Sequence, residues 1–279
     1  MMKYYELFLR YPEFKTRAIT LSFDDGYEED RRLVETLNRH GMKCTFNLTS
    51  GRVEEKPNMI PFCDWAELYG GHEIAAHSYT HPHLNALDSG GIAYQIIKDR
   101  ERLEAETGSI IQGFAYPFGL RGDAGPIVDC LEKCGIRYGR TTVSTYNFEL
   151  PTDYLRWNPT CHQADSRLPE LAEQFFQLDD VEHPWRIRPL LFYVWGHSYE
   201  FRDKWENIED ICRILGGNNR VWYATNGEII DYISAFQSLR RSANGRIIHN
   251  PTDVDLYVQV NNKDVILEKG KTVDLERRG

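Results

Sequence analysis

The sequence predicts an α/β protein, a closed or nearly closed barrel of parallel strands followed by a small antiparallel β appendage. Three observations predict it. From residue 19 to residue 239, short apolar runs alternate with amphipathic helical segments, the pattern of a parallel sheet covered by helices. About eight such runs in a chain of 279 residues favour a barrel over an open sheet. After Gly245 the helical segments stop, and short strands separated by turn signals take over.

Taken in order, residues 1–18 are a polar and aromatic lead-in, and Ile19 to Phe23 is the first strand. Glu28 to His40 places Leu33, Val34 and Leu37 on one helical face, with Gly41 as its stop. Lys43 to Leu48 is a second strand; Asp64 caps a short helix that ends at Gly70-Gly71. Glu73 to Ala76 is a third strand running into His77, and Ile92 to Glu106 is a long helix ended by Gly108. Ile110 to Tyr116 is a fourth strand, and a helix marked by Ile127, Val128 and Leu131 ends at Gly135. Strands follow near Ile136 and from Tyr154 to Thr160, then a helix from Pro169. Pro189 to Trp195 is a strong strand, Trp205 to Leu215 a helix, Val221 to Ala224 the last core strand and Ile229 to Leu239 the last helix. Residues 245–279 hold strands near 246–249, 255–260, 265–268 and 272–275; too small to stand alone, this unit is expected to pack on the barrel of residues 1–244.

A net charge of −9 without a basic run argues against nucleic acid or an anionic membrane as partner. The chain is 13% aromatic, with 16 Tyr and 6 Trp, which suits a sugar-binding cleft and an ordinary core equally. The longest apolar run among the first 30 residues is Leu7-Phe8-Leu9, so no signal peptide and no membrane span is expected there. That predicts a cytoplasmic protein, or an extracytoplasmic one whose leader has been removed. Six cysteines without zinc-type spacing read as reduced and mostly buried. Oligomeric state has no signature.

Chemistry is concentrated in two stretches. The first strand ends in Asp24-Asp25-Gly26. Adjacent strand side chains point to opposite sides, but a glycine can bend the chain so that both carboxylates face one pocket. Two such carboxylates repel unless a cation or shared proton is near; a helix cap is an equal reading of this pair alone. The second stretch is His77-Ser78-Tyr79-Thr80-His81-Pro82-His83. One helical turn or a curled loop brings His77 and His81 to one side, and neutral imidazole is the usual ligand for zinc and similar ions. A lone H-x-x-x-H is more often structural or fortuitous. With a carboxylate from Asp24-Asp25 it makes a two-histidine, one-carboxylate site with open positions, as catalytic metals have. His83 reads as an outer or surface residue.

Ser22-Phe23-Asp24-Asp25-Gly26 followed by His77-Ser78-x-x-His81-Pro82 resembles the first two motifs of the polysaccharide deacetylases, the NodB-like carbohydrate esterases of family four. Phe114-Ala115-Tyr116-Pro117-Phe118-Gly119 and Trp195-Gly196-His197 stand where the third and last motifs are expected, so the resemblance covers roughly residues 17–240. It implies a distorted barrel of about seven parallel strands. It implies Asp25, His77 and His81 as ligands of a divalent metal, zinc in the first place. It makes Asp24 the general base and His197 the general acid, with a backbone N–H of Tyr116 or its neighbour assisting at the oxyanion. Tyr116, Pro117 and Phe118 then wall a substrate groove, to which Trp157, Trp195 and Glu200 are further candidates; Glu200 alternatively orients His197, and His162 joins Trp157 at the cleft.

Two departures stand out. Ala115 occupies the position of the family's motif-three arginine, which orients the base, and Arg156 stands where an aspartate commonly precedes Trp157. Arg156 is either a replacement guanidinium or an ordinary surface arginine. The resulting expectation is a metal-dependent deacetylase acting on N- or O-acetyl groups of a carbohydrate. Its rivals are a metal-dependent amidase on another small amide or peptidoglycan fragment, a degenerate non-catalytic carbohydrate-binding protein, and a structural metal site.

Overall fold

The computed structural model describes residues 4–178 and 188–276. In chain order its elements are β1 (Leu7–Arg10), β2 (Arg17–Asp25), α1 (Asp30–Arg39), β3 (Cys44–Leu48), α2 (Phe62–Leu68), β4 (Glu73–Ala76) and α3 (Ser89–Thr107). There follow β5 (Gly113–Ala115), α4 (Gly125–Lys133), β6 (Tyr138–Arg140), β7 (Cys161–His162), α5 (Leu168–Gln177), β8 (Leu190–His197), α6 (Trp205–Leu215), β9 (Val221–Tyr223) and α7 (Asn226–Gln237). The chain closes with β10 (Arg240–Arg241), β11 (Ile247–His249), β12 (Leu256–Val260), β13 (Lys263–Leu267) and β14 (Thr272–Asp274).

The main sheet is parallel, in the order β6-β5-β4-β3-β2-β8-β7, with β9 paired to the first residues of β2. β2 is its centre: all nine of its residues are buried, as a strand covered on both faces requires. Its register runs from Leu21 opposite Cys44 to Asp25 opposite Leu48 on one side, and from Arg17 opposite Leu190 to Asp24 opposite His197 on the other. The edges are joined irregularly. Trp157 bridges Arg140 at the end of β6, while the Thr160 N–H bonds the Tyr193 carbonyl of β8 at 2.8 Å. The outcome is the distorted parallel barrel expected from the sequence.

Helix boundaries follow their caps. Asp88 accepts the Gly91 N–H at 2.7 Å to start α3, and Gly108, at φ 66°, ends it. Thr225 and Glu228 form a reciprocal capping box on α7. α2 begins at Phe62 after Pro61, so Asp64 lies inside its first turn rather than at its cap. The strand expected from Tyr154 to Thr160 is instead a 3-10 turn over Tyr154–Arg156 followed by irregular chain, and the two-residue β7 begins just after it. Asp153 accepts the Leu155 and Arg156 N–H groups at 3.0 and 3.2 Å and holds the turn. Pro159, lacking an N–H, cannot donate to a ladder within that stretch, and pairing with β8 starts only at the Thr160 N–H.

One core lies between the sheet and α1 to α6; a second joins β8, α7 and the terminal strands through Leu9, Tyr193, Ile230, Ile233, Leu256 and Val258. β1 pairs antiparallel with β12, and β12 with β13; β11 pairs with β10 and β14. The Tyr232 hydroxyl of α7 donates to the Arg10 carbonyl at 3.0 Å and accepts the Tyr257 N–H at 2.9 Å, tying this small sheet to the barrel's last helix. All six cysteines are free; Cys44, Cys161 and Cys212 are buried and Cys63 is exposed. Among the described residues no helix is long and apolar enough to cross a membrane.

Candidate metal and catalytic site

The functional side chains stand at the carboxyl ends of the parallel strands, where such folds place their sites. At the end of β2, Asp25 itself takes φ 85° and Gly26 φ 84°. The strand direction breaks there, so the carboxylate of Asp25 joins that of Asp24 instead of pointing away. Gly26 is required twice: its φ is left-handed, and a Cβ would sit 2.9 Å from Leu48 Cδ2.

After β4 the chain is a curled loop, not a helical turn, with Ser78 at φ 65° and His81 at φ 58°. Non-glycine residues in this region are strained, and they persist where surrounding structure holds them. The result is two imidazoles in edge contact, centroids 4.7 Å apart. His77 Nδ1 donates to the Ala115 carbonyl at 2.8 Å, which fixes the tautomer and leaves Nε2 with its lone pair toward the site. Buried Asp99 accepts the His77 N–H at 2.9 Å and both the N–H and hydroxyl of Ser50, locking the ends of β3 and β4 together.

Asp25, His77 and His81 offer ligand atoms within 4.8 Å of one another. Asp25 Oδ1 lies 3.9 Å from His77 Nε2 and 3.6 Å from His81 Nε2. That oxygen is buried and accepts no hydrogen bond from a described residue, a costly state for a carboxylate unless a cation answers it. Burial pushes the His77 imidazole down to about 4; burial and the Arg52 charge do the same for His81. Both are therefore neutral at pH 7, the form that ligates. This donor set fits a divalent cation. A second cluster, His162, His197 and Glu200, does not have this character. There Glu200 Oε1 accepts from His197 Nδ1 at 2.9 Å and Oε2 from Gln163 Nε2 at 2.8 Å.

Asp24 is held differently. Asn47 Nδ2 donates to its Oδ1 at 2.8 Å, and Arg140 Nη2 donates to its Oδ2. Burial alone would raise this carboxyl, but the Arg140 charge and hydrogen bond, with help from His197, outweigh it and hold Asp24 below its usual range. Arg140 is wholly buried, stacks over Trp195 at 4.5 Å and stands in register with Ala115 on the neighbouring strand. The guanidinium that bonds Asp24 thus comes from β6, one strand over from position 115. Arg156, the candidate replacement, is half exposed and pairs with Asp153 at 2.8 Å.

His197 ends β8 with Nε2 3.9 Å from Asp24 Oδ2. Burial works against its charge, but the Glu200 hydrogen bond and the Asp24 and Asp25 charges prevail and raise its pKa. Gly196 leaves room for the Gln163 side chain, since a Cβ there would meet Gln163 Cδ at 2.4 Å. Trp195 packs edge-on against His162, centroids 4.6 Å apart.

The groove residues divide. Phe118, at φ 60° and 45% exposed, stacks on His83 at 3.9 Å and meets the His81 ring edge at 4.6 Å. It walls the site with His83, which the sequence placed outside. Tyr116 is instead a core residue whose hydroxyl donates to the Leu155 carbonyl at 2.6 Å. Its N–H donates to the Arg140 carbonyl at 3.0 Å, so it is already used; Pro117 has none, and Phe118 is the neighbour left to supply one. Trp157 is also core rather than cleft, packed on Tyr138 and Tyr193.

Comparison with known proteins gives one consistent answer. Residues 12–139 match the family model for polysaccharide deacetylases. Over 111 residues the chain is 31% identical to the peptidoglycan-N-acetylglucosamine deacetylase of Listeria monocytogenes, a match covering 39% of this chain and only 23% of that protein's length. A solved structure of a Mycobacterium smegmatis protein assigned as a polysaccharide deacetylase aligns with TM-score 0.59 and 18% identity, over 84% of this chain and 96% of the other. An activity-restored mutant of a Bacillus anthracis family-four esterase pseudoenzyme aligns with TM-score 0.52 and 22% identity, over 80% of this chain and 70% of the other. At such identities the structural likeness is one of fold.

Proposed function

We propose that this chain, which belongs to the NodB-like polysaccharide deacetylase family, is a hydrolase that removes N- or O-acetyl groups from a carbohydrate. The observation that carries the reading is the pair of unlike carboxylates. Asp25 Oδ1 is buried without a donor against two neutral imidazoles, while its neighbour Asp24 is kept ionised by Arg140. Asp25, His77 and His81 would hold a divalent cation, zinc being the first to test with these donors. Such an ion supplies a Lewis acid for the acetyl carbonyl and lowers the pKa of water.

The chain's own groups do the rest. Asp24 accepts the proton lost by the attacking water. Asn47 and Arg140 fix its orientation, and each oxygen keeps a lone pair for the task. His197 acts as the imidazolium: it keeps one proton on Nδ1 against Glu200 and carries a second on Nε2, which it gives to the leaving nitrogen or oxygen as the acyl bond breaks. Phe118 and His83 give the sugar an apolar face. The Listeria relative's name makes an N-acetylated amino sugar the first substrate to try. A non-catalytic carbohydrate binder is the second reading, favoured by Ala115 at the motif-three position and opposed by the intact Asp24, Asp25, His77 and His81.

The test is metal content of purified protein together with acetate release from acetylated sugars, before and after chelation and zinc add-back. About one ion per chain is expected, with acetate release abolished by chelator and restored by zinc. Acetate release that is indifferent to chelation would overturn the metal assignment; a bound ion with no acetate from any acetylated sugar would turn attention to other amides.

Glu200 offers a finer check. Its hydrogen bond raises the His197 pKa, so it extends the range in which the acid is protonated to higher pH. Glu200→Gln is expected to shift the alkaline limb of the kcat profile to lower pH, leaving the acid limb in place, and to cost up to about 10²-fold at pH 8. Identical profiles would remove Glu200 from this role.

A further inference from the structure

Arg52 closes the 3-10 turn Ser50–Arg52 that leaves β3. This turn is held rigidly against the site. Asp99 accepts the Ser50 N–H and hydroxyl at 2.9 and 2.6 Å, and the Gly51 N–H donates to the Tyr79 carbonyl at 2.8 Å. The Arg52 side chain is only 17% exposed, and its ionic neighbour is Asp25 Oδ1, 3.8 Å from Nη1. At that distance it makes no hydrogen bond and does not orient the carboxylate. The other arginines at the mouth are engaged directly, Arg140 with Asp24 and Arg202 with Glu29. Arg52 thus keeps its donor fork available at the edge of the metal ligands.

The charge balance makes this arrangement informative. Asp24 is offset by Arg140, so a divalent cation on Asp25 and two neutral histidines leaves the mouth positive, with Arg52 adding to it. A like charge beside a metal centre is unfavourable unless an anion enters to join it, and the excess stands out in a chain of net charge −9. Guanidinium matches a carboxylate through two parallel N–H bonds.

We propose that Arg52 is a substrate-binding residue that recognises a carboxylate carried by the acetylated sugar close to its acetyl group, so that acidic acetylated sugars are preferred over neutral ones. This rests on the deacetylase reading for its place in the reaction, but binding can be measured without turnover. Zinc-loaded Asp24→Asn protein is titrated calorimetrically with N-acetylmuramic acid, with N-acetylglucosamine, which lacks the carboxylate, and with N-acetylglucosamine 6-phosphate. N-acetylmuramic acid is expected to bind about ten- to a hundredfold more tightly than N-acetylglucosamine. Adding Arg52→Gln should erase that difference while zinc content, melting temperature and affinity for N-acetylglucosamine stay unchanged.

Equal affinity for the two sugars, binding of neither, tightest binding of the phosphate, or a preference that survives Arg52→Gln would each overturn the proposal. So would loss of zinc in Arg52→Gln, which would make Arg52 a support of Asp25 instead. Failure of wild-type protein to release acetate would count against the deacetylase reading alone, since the calorimetric difference does not depend on it.

Discussion

Arg140→Ala is expected to be among the most damaging single substitutions in this chain, costing about 3–5 kcal/mol of stability and nearly all turnover, because it leaves a buried carboxylate unpaired. In the native protein Asp24 is held below its usual range, since the Arg140 charge outweighs burial. It therefore contributes stability above the unfolded carboxyl pKa, about 3.9, and that contribution is lost as pH falls through the lower folded value. Without the guanidinium, burial is left to raise the carboxyl, and the sign reverses. The folded state then favours the protonated acid, and stability declines as pH rises past the unfolded value. The melting-temperature deficit of Arg140→Ala should accordingly be larger at pH 8 than at pH 5. Asp24→Asn combined with Arg140→Met should regain much of the stability and none of the activity. A deficit independent of pH, with the double variant no better than the single, would show that Arg140 acts by packing on Trp195 alone.

The second large effect is a separation of binding from turnover. His77→Ala is expected to lose the metal, by more than about a hundredfold in affinity, since removing outer partners of metal ligands alone costs ten- to a hundredfold. Asp24→Asn is expected to retain the metal and to lose about 10²–10⁴-fold in kcat, the usual worth of a positioned base. Metal analysis of the two purified variants, alongside acetate release, distinguishes them. Full turnover in Asp24→Asn would dismiss Asp24 as the base, and full metal content in His77→Ala would dismiss the ligand set.

The two variants touch residues that are visible in the amino-acid sequence itself. Asp24-Asp25-Gly26 and His77 to His81 are short-range signals: the chemistry, the bend and the spacing lie within a few residues. Glu200 was legible for the same reason, three residues from His197. Arg140 was not, because its relation to Ala115 is one of sheet register rather than of sequence. Its one signal is a charged residue closing the buried run Tyr138-Gly139-Arg140. Tyr116 and Trp157 misled because an aromatic at a strand end can face core or cleft, and composition does not choose between them. The strand expected over Tyr154–Thr160 failed on two local rules, the Asp153 cap and Pro159, which outweighed its apolar content. Leu7–Arg10 passed as a lead-in because its partner lies at the other end of the chain.

That last pairing has a consequence for how the molecule is made. Leu7 meets Val260 across the β1–β12 ladder. At synthesis rates of about 5–20 residues per second, the first strand waits roughly 13–50 s on the ribosome before its partner exists. During that interval the barrel can assemble, but β1 remains an open edge able to accept a strand from another nascent chain. The ladder is thus the last large piece to close, and its brevity, four residues including Arg10, limits the edge it exposes meanwhile.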